Sequence, residues 1–409
     1  MSSPHVLVVG AGAAGSAAAR VLAGANAVSV TSVGRTGETP YNRTLVNKGI
    51  ASGLLTPEQA ALPAVNVLLD TVIRIDSTKR IVRMASGASL GYDALLVATG
   101  SLPRELEAAI LGTDDAVAAG KLTALHSVDD AIRVRDALAA IGGPGRIVIS
   151  GAGLVAGETA TLLQEKGHHV TLLARSTLPG VSVFGHELAG RIADAHRAHL
   201  STAFGRVPVG IWVDGDVLTI QLDDGSHLQA DLFVVAHGTT PKAPAPWNDG
   251  VGVDETLRAA HLGLYAAGGA AIHHDDRIGT WRIDHWAEAV AQGEHAARTI
   301  LADLGLGTDP GQYSPRAPFT AVLSGSMIAG AGLTGINVPS RIVSADPLVV
   351  VNEHEGVPVG IIGVDAASAV FDWMPKLHTP AGPVGDASEL LAHANPGAAH
   401  LNNHYNTTT

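Results

Sequence analysis

His5-Val-Leu-Val-Val-Gly10-Ala-Gly12-Ala-Ala-Gly15 opens the chain with an apolar run that breaks onto three glycines. The residues before Gly10 read as a buried strand. Apolar positions at Ala14, Ala17, Ala18, Val21 and Leu22 then recur at helical spacing. In such a turn the first glycine permits the tight passage from strand to helix, and the second lets a pyrophosphate approach the backbone. The third lets helix and strand close on each other. The start of the helix adds free N–H groups and a partial positive charge of roughly half a unit. A GxGxxG run alone is weak, because glycine-rich turns occur in many folds. This one follows a strand, opens a helix and recurs, which favours a dinucleotide cradle over a structural turn.

The recurrence lies at Arg146-Ile-Val-Ile149, which leads into Gly151-Ala-Gly153-Leu154-Val155-Ala156 and a second helical pattern. Alanine is allowed in the third glycine position. Each copy closes on a related strand, Ala94-Leu-Leu-Val-Ala98-Thr99-Gly100 in one and Leu232-Phe-Val-Val-Ala-His-Gly238 in the other. The cradle-to-close intervals are 90 and 87 positions. A polar-turn meander precedes each closing strand, so two similar α/β units stand in tandem. After them come a short strand ending at Gly268-Gly269 and an amphipathic helix expected over 284–301. A linker near 307–311 precedes a small α+β segment from about 317, with a hairpin turning at Glu353-His-Glu-Gly356 and a polar tail from Asn402.

Two dinucleotide sites in one chain suggest a flavin and a nicotinamide exchanging a hydride. The acidic residue expected about 20 positions beyond each cradle to grip a ribose is missing. The second strand of the first unit ends at Arg35, with Glu38 nearby, and that of the second ends in Ala174-Arg175-Ser176. An Arg-Ser pair suits a 2′-phosphate, which favours NADP over NAD, although an ordinary solvated arginine reads nearly as well.

Composition narrows the field. At 409 residues the chain is long enough for two or three domains. With 46% apolar and 16% charged residues it can bury a sizeable core. A net charge of −12 and 4% aromatic residues argue against nucleic acid and anionic membranes as partners. Cysteine is absent, which removes disulfides, iron–sulfur ligation and any catalytic dithiol. No apolar stretch is long enough to span a bilayer, so a cytoplasmic protein is expected. His273-His274-Asp275-Asp276 has metal-binding residue types, but adjacent ligands rarely converge on one ion, and no metal site is expected. Hydrolase and kinase motifs are missing.

Taken together, these segments resemble the FAD-dependent pyridine-nucleotide oxidoreductases, in particular the ferredoxin/rubredoxin-reductase branch. Further support comes from Pro40-Tyr-Asn-Arg43-Thr-Leu-Val-Asn-Lys48, from Ala98-Thr-Gly100-Ser-Leu-Pro103-Arg104, and from Arg282-Ile-Asp-His-Trp286 running on to Gln292-Gly293. The resemblance implies an α/β fold with two Rossmann-like dinucleotide-binding domains and a small C-terminal α+β domain. The FAD domain would comprise 1–117 with 243–316, the NAD(P) domain 118–242, and an interface domain 317–409.

FAD would lie over Gly10, Gly12, Ala14 and Gly15, with Arg35, Arg43 and Arg104 near its phosphates and ribose and Val72 near adenine. Ala98, Thr99, Gly100, Gly268 and Gly269 would line it. Trp286 and Gln292 would reach it from the long helix, although Trp286 reads equally well as a core residue. NADP or NAD would lie over Gly151, Gly153, Leu154, Val155, Arg175 and Gly238. Lys48 and Glu158 would pair beside the reactive edge of the flavin as the catalytic residues. A cation there stabilises an electron-rich ring, and a buried lysine needs a carboxylate.

The resemblance also implies hydride transfer from NAD(P)H to flavin N5. Electrons would then pass to an external acceptor: a small redox protein of the ferredoxin or rubredoxin type, a quinone, oxygen or a small molecule. A monomer or homodimer would serve. Relatives carry Gly-Asp where this chain has Gly268-Gly269, the Asp accepting hydrogen bonds from the flavin's ribityl chain. Each lost charged hydrogen bond costs about 1.5–3 kcal/mol, so weaker FAD binding is expected. Where relatives have an aromatic Trp-Ser-Asp segment, this chain reads Pro318-Phe-Thr-Ala-Val-Leu-Ser-Gly-Ser326. Two other readings therefore stay open: an FAD-poor nucleotide-binding or NAD(P)H-sensing protein, and a dedicated biosynthetic flavoenzyme.

Overall fold

The computed structural model describes residues 3–36, 40–63 and 66–379. Glu38 and the tail from Asn402 lie outside them, as does the last part of 317–409.

Strand β1 (His5–Val9) is apolar on both faces, and Val6, Leu7 and Val8 are fully buried. A strand buried on both sides belongs in the middle of a parallel sheet. It pairs in parallel with β2 (Ser29–Gly34) on one side and with β4 (Ala94–Val97) on the other. Helix α1 (Ala13–Gly24) intervenes before β2, and β3 (Val67–Leu69) extends the sheet beyond it. The second unit repeats this plan with β5 (Leu122–Ala124), α2 (Val128–Ile141), β6 (Arg146–Ser150), α3 (Leu154–Glu165), β7 (His169–Ala174), α4 (Val181–His199), β8 (Ser201–Phe204) and β9 (Leu232–Val235). Its sheet runs β8-β7-β6-β9-β5, all parallel.

The chain then returns to the first sheet. Strand β10 (Leu264–Ala266) pairs with β4, giving the order β10-β4-β1-β2-β3. Both sheets thus place the glycine-turn strand between a second strand and a closing strand, and their switch points lie beside β1 and β6. Ligands of open α/β sheets bind in that crevice, beyond the carboxyl ends of the strands. Three-stranded antiparallel meanders at 72–91 and 208–230 flank the two sheets.

Helix α5 begins at Trp286 and ends at Asp303, two residues later than the pattern suggested. His285 is its N-cap residue and Asp284 stays outside, because the Asp284 carboxylate is engaged by Ser101 and Arg282 instead. The helix lies against α1 so closely that a Cβ on Gly293 would collide with the Ala14 carbonyl.

The C-terminal segment forms β11 (Pro318–Leu323), β12 (Ser326–Gly332), β13 (Ser340–Ala345), β14 (Leu348–His354) and β15 (Val357–Val364). They make one antiparallel sheet in the order β11-β12-β15-β14-β13, closed by α6 (Ala367–Trp373). The hairpin turn is tighter than expected. Glu355 and Gly356 both have positive φ, so β14 runs on through His354. This sheet docks on α3 and α4: Ser324 N donates to Thr161 Oγ1, and His196 Nδ1 lies 2.8 Å from Ser324 Oγ. Among the described residues no helix is long and apolar enough to cross a membrane, and no His, Cys, Asp and Glu converge as three or more metal ligands. His273 instead stacks on Trp281 at 3.7 Å between ring centroids.

Candidate active site

The glycine turns are nearly superposable in their bonding. Gly10 N donates to Val33 O and Ala98 N to Val9 O. Gly151 N donates to Leu173 O and Ala236 N to Ser150 O. Gly10 has φ +108, and a Cβ there would collide with the Ala98 carbonyl; Gly151 stands likewise against Ala236. Gly12 and Gly153 differ from these. Nothing lies within 4 Å of a Cβ placed on either, and each precedes the first residues of a helix whose N–H groups no side chain caps. Open backbone at a helix start is what a pyrophosphate requires, so both cradles fit a dinucleotide. Gly15 does not face the cleft: a Cβ there would strike the Gly10 carbonyl, so it is the residue that lets α1 close on β1.

Both cradles open into one cleft of about 2490 Å³. Pockets for a single small molecule run to about 1,000 Å³, so this one has room for two dinucleotides. Its walls carry eight Lys or Arg and eight Asp or Glu, whereas the chain as a whole has 26 against 38. The cleft is therefore much less negative than the rest of the surface. Arg35, Arg43, Arg104 and Arg175, scattered in sequence, all line it, and Arg206 and Arg282 join them. Ala14, Val72, Ala98, Thr99, Gly100, Leu154, Val155, Gly238, Gly268, Gly269 and Trp286 line it as well.

Lys48 sits in a single π-helical turn, Val46–Ile50, that nothing in the sequence announced. Its Nζ lies 2.8 Å from Glu158 Oε1, an ion pair joining the first unit to the first turns of α3. Nζ also donates to the Thr320 carbonyl of β11 at 3.2 Å. Asn47 Nδ2 donates to the other Glu158 oxygen at 3.3 Å. Glu158 is 8% exposed. Three parts of the molecule thus meet at one lysine.

Arg43 donates to His126 Nε2 at 2.6 Å. Burial first, and the Arg43 charge second, push this histidine down to about 4, so it is a neutral acceptor at pH 7. Sequence reasoning passed over His126, which has no motif around it. Arg104 donates to the Thr239 carbonyl, and Arg175 is paired with Glu107 at the mouth of the second cradle.

One expected contact is corrected. Gln292 is fully buried and stands behind the wall of the cleft, not in it. Its Oε1 accepts from Gly268 N at 2.8 Å, fixing the glycine turn from behind. The neighbouring Glu288, also missed, does line the cleft. Burial raises its carboxyl, against donors from Tyr313, Gln292 and Ala317 N. On the far wall Phe319 stands 5.8 Å from His285.

Comparison with known proteins agrees with this geometry. Residues 4–293 match the family described as pyridine nucleotide-disulphide oxidoreductase. The ferredoxin–NAD(+) reductase component of the Paraburkholderia xenovorans biphenyl dioxygenase system is 28% identical over 314 residues, covering 73% of this chain and 74% of that protein. The covalent putidaredoxin reductase–putidaredoxin complex superposes with a TM-score of 0.80 at 21% identity, over 96% of this chain and 99% of that one. A water-forming NADPH oxidase engineered from the Lactobacillus brevis NADH oxidase does so with a TM-score of 0.74 at 20% identity, over 91% of each chain. The chain belongs to the pyridine nucleotide-disulphide oxidoreductase family and is an NAD(P)H-dependent flavoprotein oxidoreductase that uses FAD.

Proposed function

We propose that the protein takes its electrons from NADPH and delivers them, by way of FAD in the first cradle, to a small one-electron redox protein of the ferredoxin class. The observation that carries this reading is the Lys48–Glu158 pair, which stands where the two cradles open onto each other. Bound FAD supplies the chemistry of accepting a hydride and releasing single electrons. The chain's own residues bind, orient and shield. The α1 N-terminus with Arg43 and Arg104 binds phosphate, and Arg43 is steered by a neutral His126 that does not compete for the anion. Lys48 holds its charge in place through Glu158 and the Thr320 carbonyl, so a cation is already oriented where negative charge develops. Asn47 fixes the carboxylate that fixes the lysine.

The engineered NADPH oxidase carries, among its named substitutions, a consecutive Asp-Ala-Met changed to Ala-Arg-Ser and a glycine eighteen positions earlier changed to alanine. This chain has Ala174-Arg175-Ser176 natively, with Ala156 the same eighteen positions ahead of Ala174. For the acceptor, the absence of cysteine leaves no protein dithiol to relay electrons. The names of the ferredoxin–NAD(+) reductase and the putidaredoxin complex point to a small redox protein.

The test is an anaerobic titration. The purified protein should be yellow, bleach with one equivalent of NADPH and do so more slowly with NADH. Added ferredoxin should then raise cytochrome c reduction well above the rate with oxygen alone. A colourless protein that FAD does not restore, or a flavin that neither nucleotide bleaches, would end this reading.

A further inference from the structure

Gly269 has no side chain, yet the place beside it is filled. A Cβ on it would lie 2.6 Å from Oδ1 of Asp284. The backbone at 269 is outside the left-handed region, so it is this carboxylate, not conformation, that keeps a side chain out. Asp284 belongs to the extended stretch just ahead of α5, and its two oxygens are used unequally. Oδ2 accepts from Ser101 Oγ at 2.6 Å, from Arg282 Nη2 at 2.9 Å and from Thr239 Oγ1. Oδ1 accepts from none of the described residues. The side chain is 28% exposed and lines the cleft. Burial raises its carboxyl, but the donors Ser101 and Thr239 and the Arg282 and Arg43 charges outweigh this and keep it ionised.

Its position is set from both sides. A Cβ on the preceding Gly268 would lie 3.1 Å from Ala14 Cβ, in the first turn of the FAD cradle. His285, the next residue in the chain, feels the Lys48 charge. The carboxylate is thus one residue removed from each, through Gly269 to the helix that offers the pyrophosphate seat and through His285 to the lysine that the proposed function puts beside the ring. In FAD the segment joining those two is a ribityl chain of hydroxyl groups. A carboxylate oxygen clamped through its twin and left without a donor suits such hydroxyls.

We propose that Asp284, reaching into the place left by Gly269, is the residue that accepts hydrogen bonds from the ribityl hydroxyls of FAD. The carboxylate missing after β10 is thereby restored from another segment, and tight FAD binding does not require an acid at 269. The inference rests on FAD occupying the first cradle.

The test is equilibrium binding of FAD to apoprotein, read by flavin fluorescence, for the unsubstituted protein, D284A, G269D and the double variant G269D/D284A. D284A should weaken FAD by about ten- to a hundredfold. G269D alone should also weaken it, since two carboxylates then compete for one volume, and the double variant should recover most of the loss. Removing Asp284 also strips Ser101, Thr239 and Arg282 of a partner. Each variant is therefore titrated as well with an FAD analogue lacking the ribityl hydroxyls, and the ratio of the two affinities is compared. That ratio should collapse towards one in D284A. An unchanged ratio would overturn the proposal while leaving the flavin reading intact, and failure of the unsubstituted protein to bind FAD would overturn both.

Discussion

The two glycine cradles share a bonding plan but are walled differently. Behind the first, α1 is pressed onto β1 by Gly15 and onto α5 by Gly293, so the seat is enclosed by two helices at near backbone contact. Behind the second, Ala156 keeps its methyl, and Gly157 faces Leu323 of β11 across α3. The second turn is wider by about a methyl group, and its outer wall is a docked sheet. The same motif thus builds two turns of different closeness, the first packed at backbone contact and the second with room for a methyl group.

Exchanging the third residue of the two turns breaks this contrast most directly. G15A drives a Cβ into the Gly10 carbonyl. We expect loss of bound flavin and about 1–3 kcal/mol of stability, measured by absorbance ratio after gel filtration and by thermal melting. The mirror change, A156G, should cost only about 1 kcal/mol and leave flavin content unchanged. Equal losses would mean that the two seats are not distinct. At the junction between them, K48M or E158Q should slow flavin bleaching by NADPH about ten- to a hundredfold without flavin loss, and the double variant should be little worse than either. Stopped-flow reduction under anaerobic conditions reads both.

The mouths of the seats differ too. R175A should raise the KM for NADPH about tenfold while changing that for NADH less than twofold, and R35A, at the matching place in the first unit, should change neither. The smallest effect concerns pH. His126, His196 and His273 are each pushed down to about 4, by burial first. The unfolded chain binds these protons near pH 6.5, so stability is full above that and falls as pH drops towards 4. H196Q should make the decline in melting temperature over that window measurably shallower.

Much of this was legible in the sequence because glycine turns, apolar strands and their repetition are local signals. The two parallel sheets and both glycine turns follow from residues that neighbour each other in the chain, once the duplication is seen, whereas the Lys48–Glu158 pair joins residues far apart in the chain and was implied only by the family resemblance. What was hidden depends on distance. His126 gains its neutral state only when the fold buries it and, second, brings Arg43 beside it, and the arginines of the cleft come together only through sheet order. Gln292 was assigned to the wall because its helix was, but the side chain points at the back of the Gly268 turn. Asp284 was overlooked because the helical pattern absorbed it, although the helix starts two residues later.

The order in which the first sheet is assembled has a consequence for synthesis. Strands β6 to β9 complete the second sheet from chain that has emerged by residue 235, whereas the first sheet and its back wall wait for β10 and α5, up to Asp303. A growing chain therefore finishes the second sheet while the first still lacks its edge strand and the helix behind it, so the first glycine cradle is the later of the two to gain its back wall.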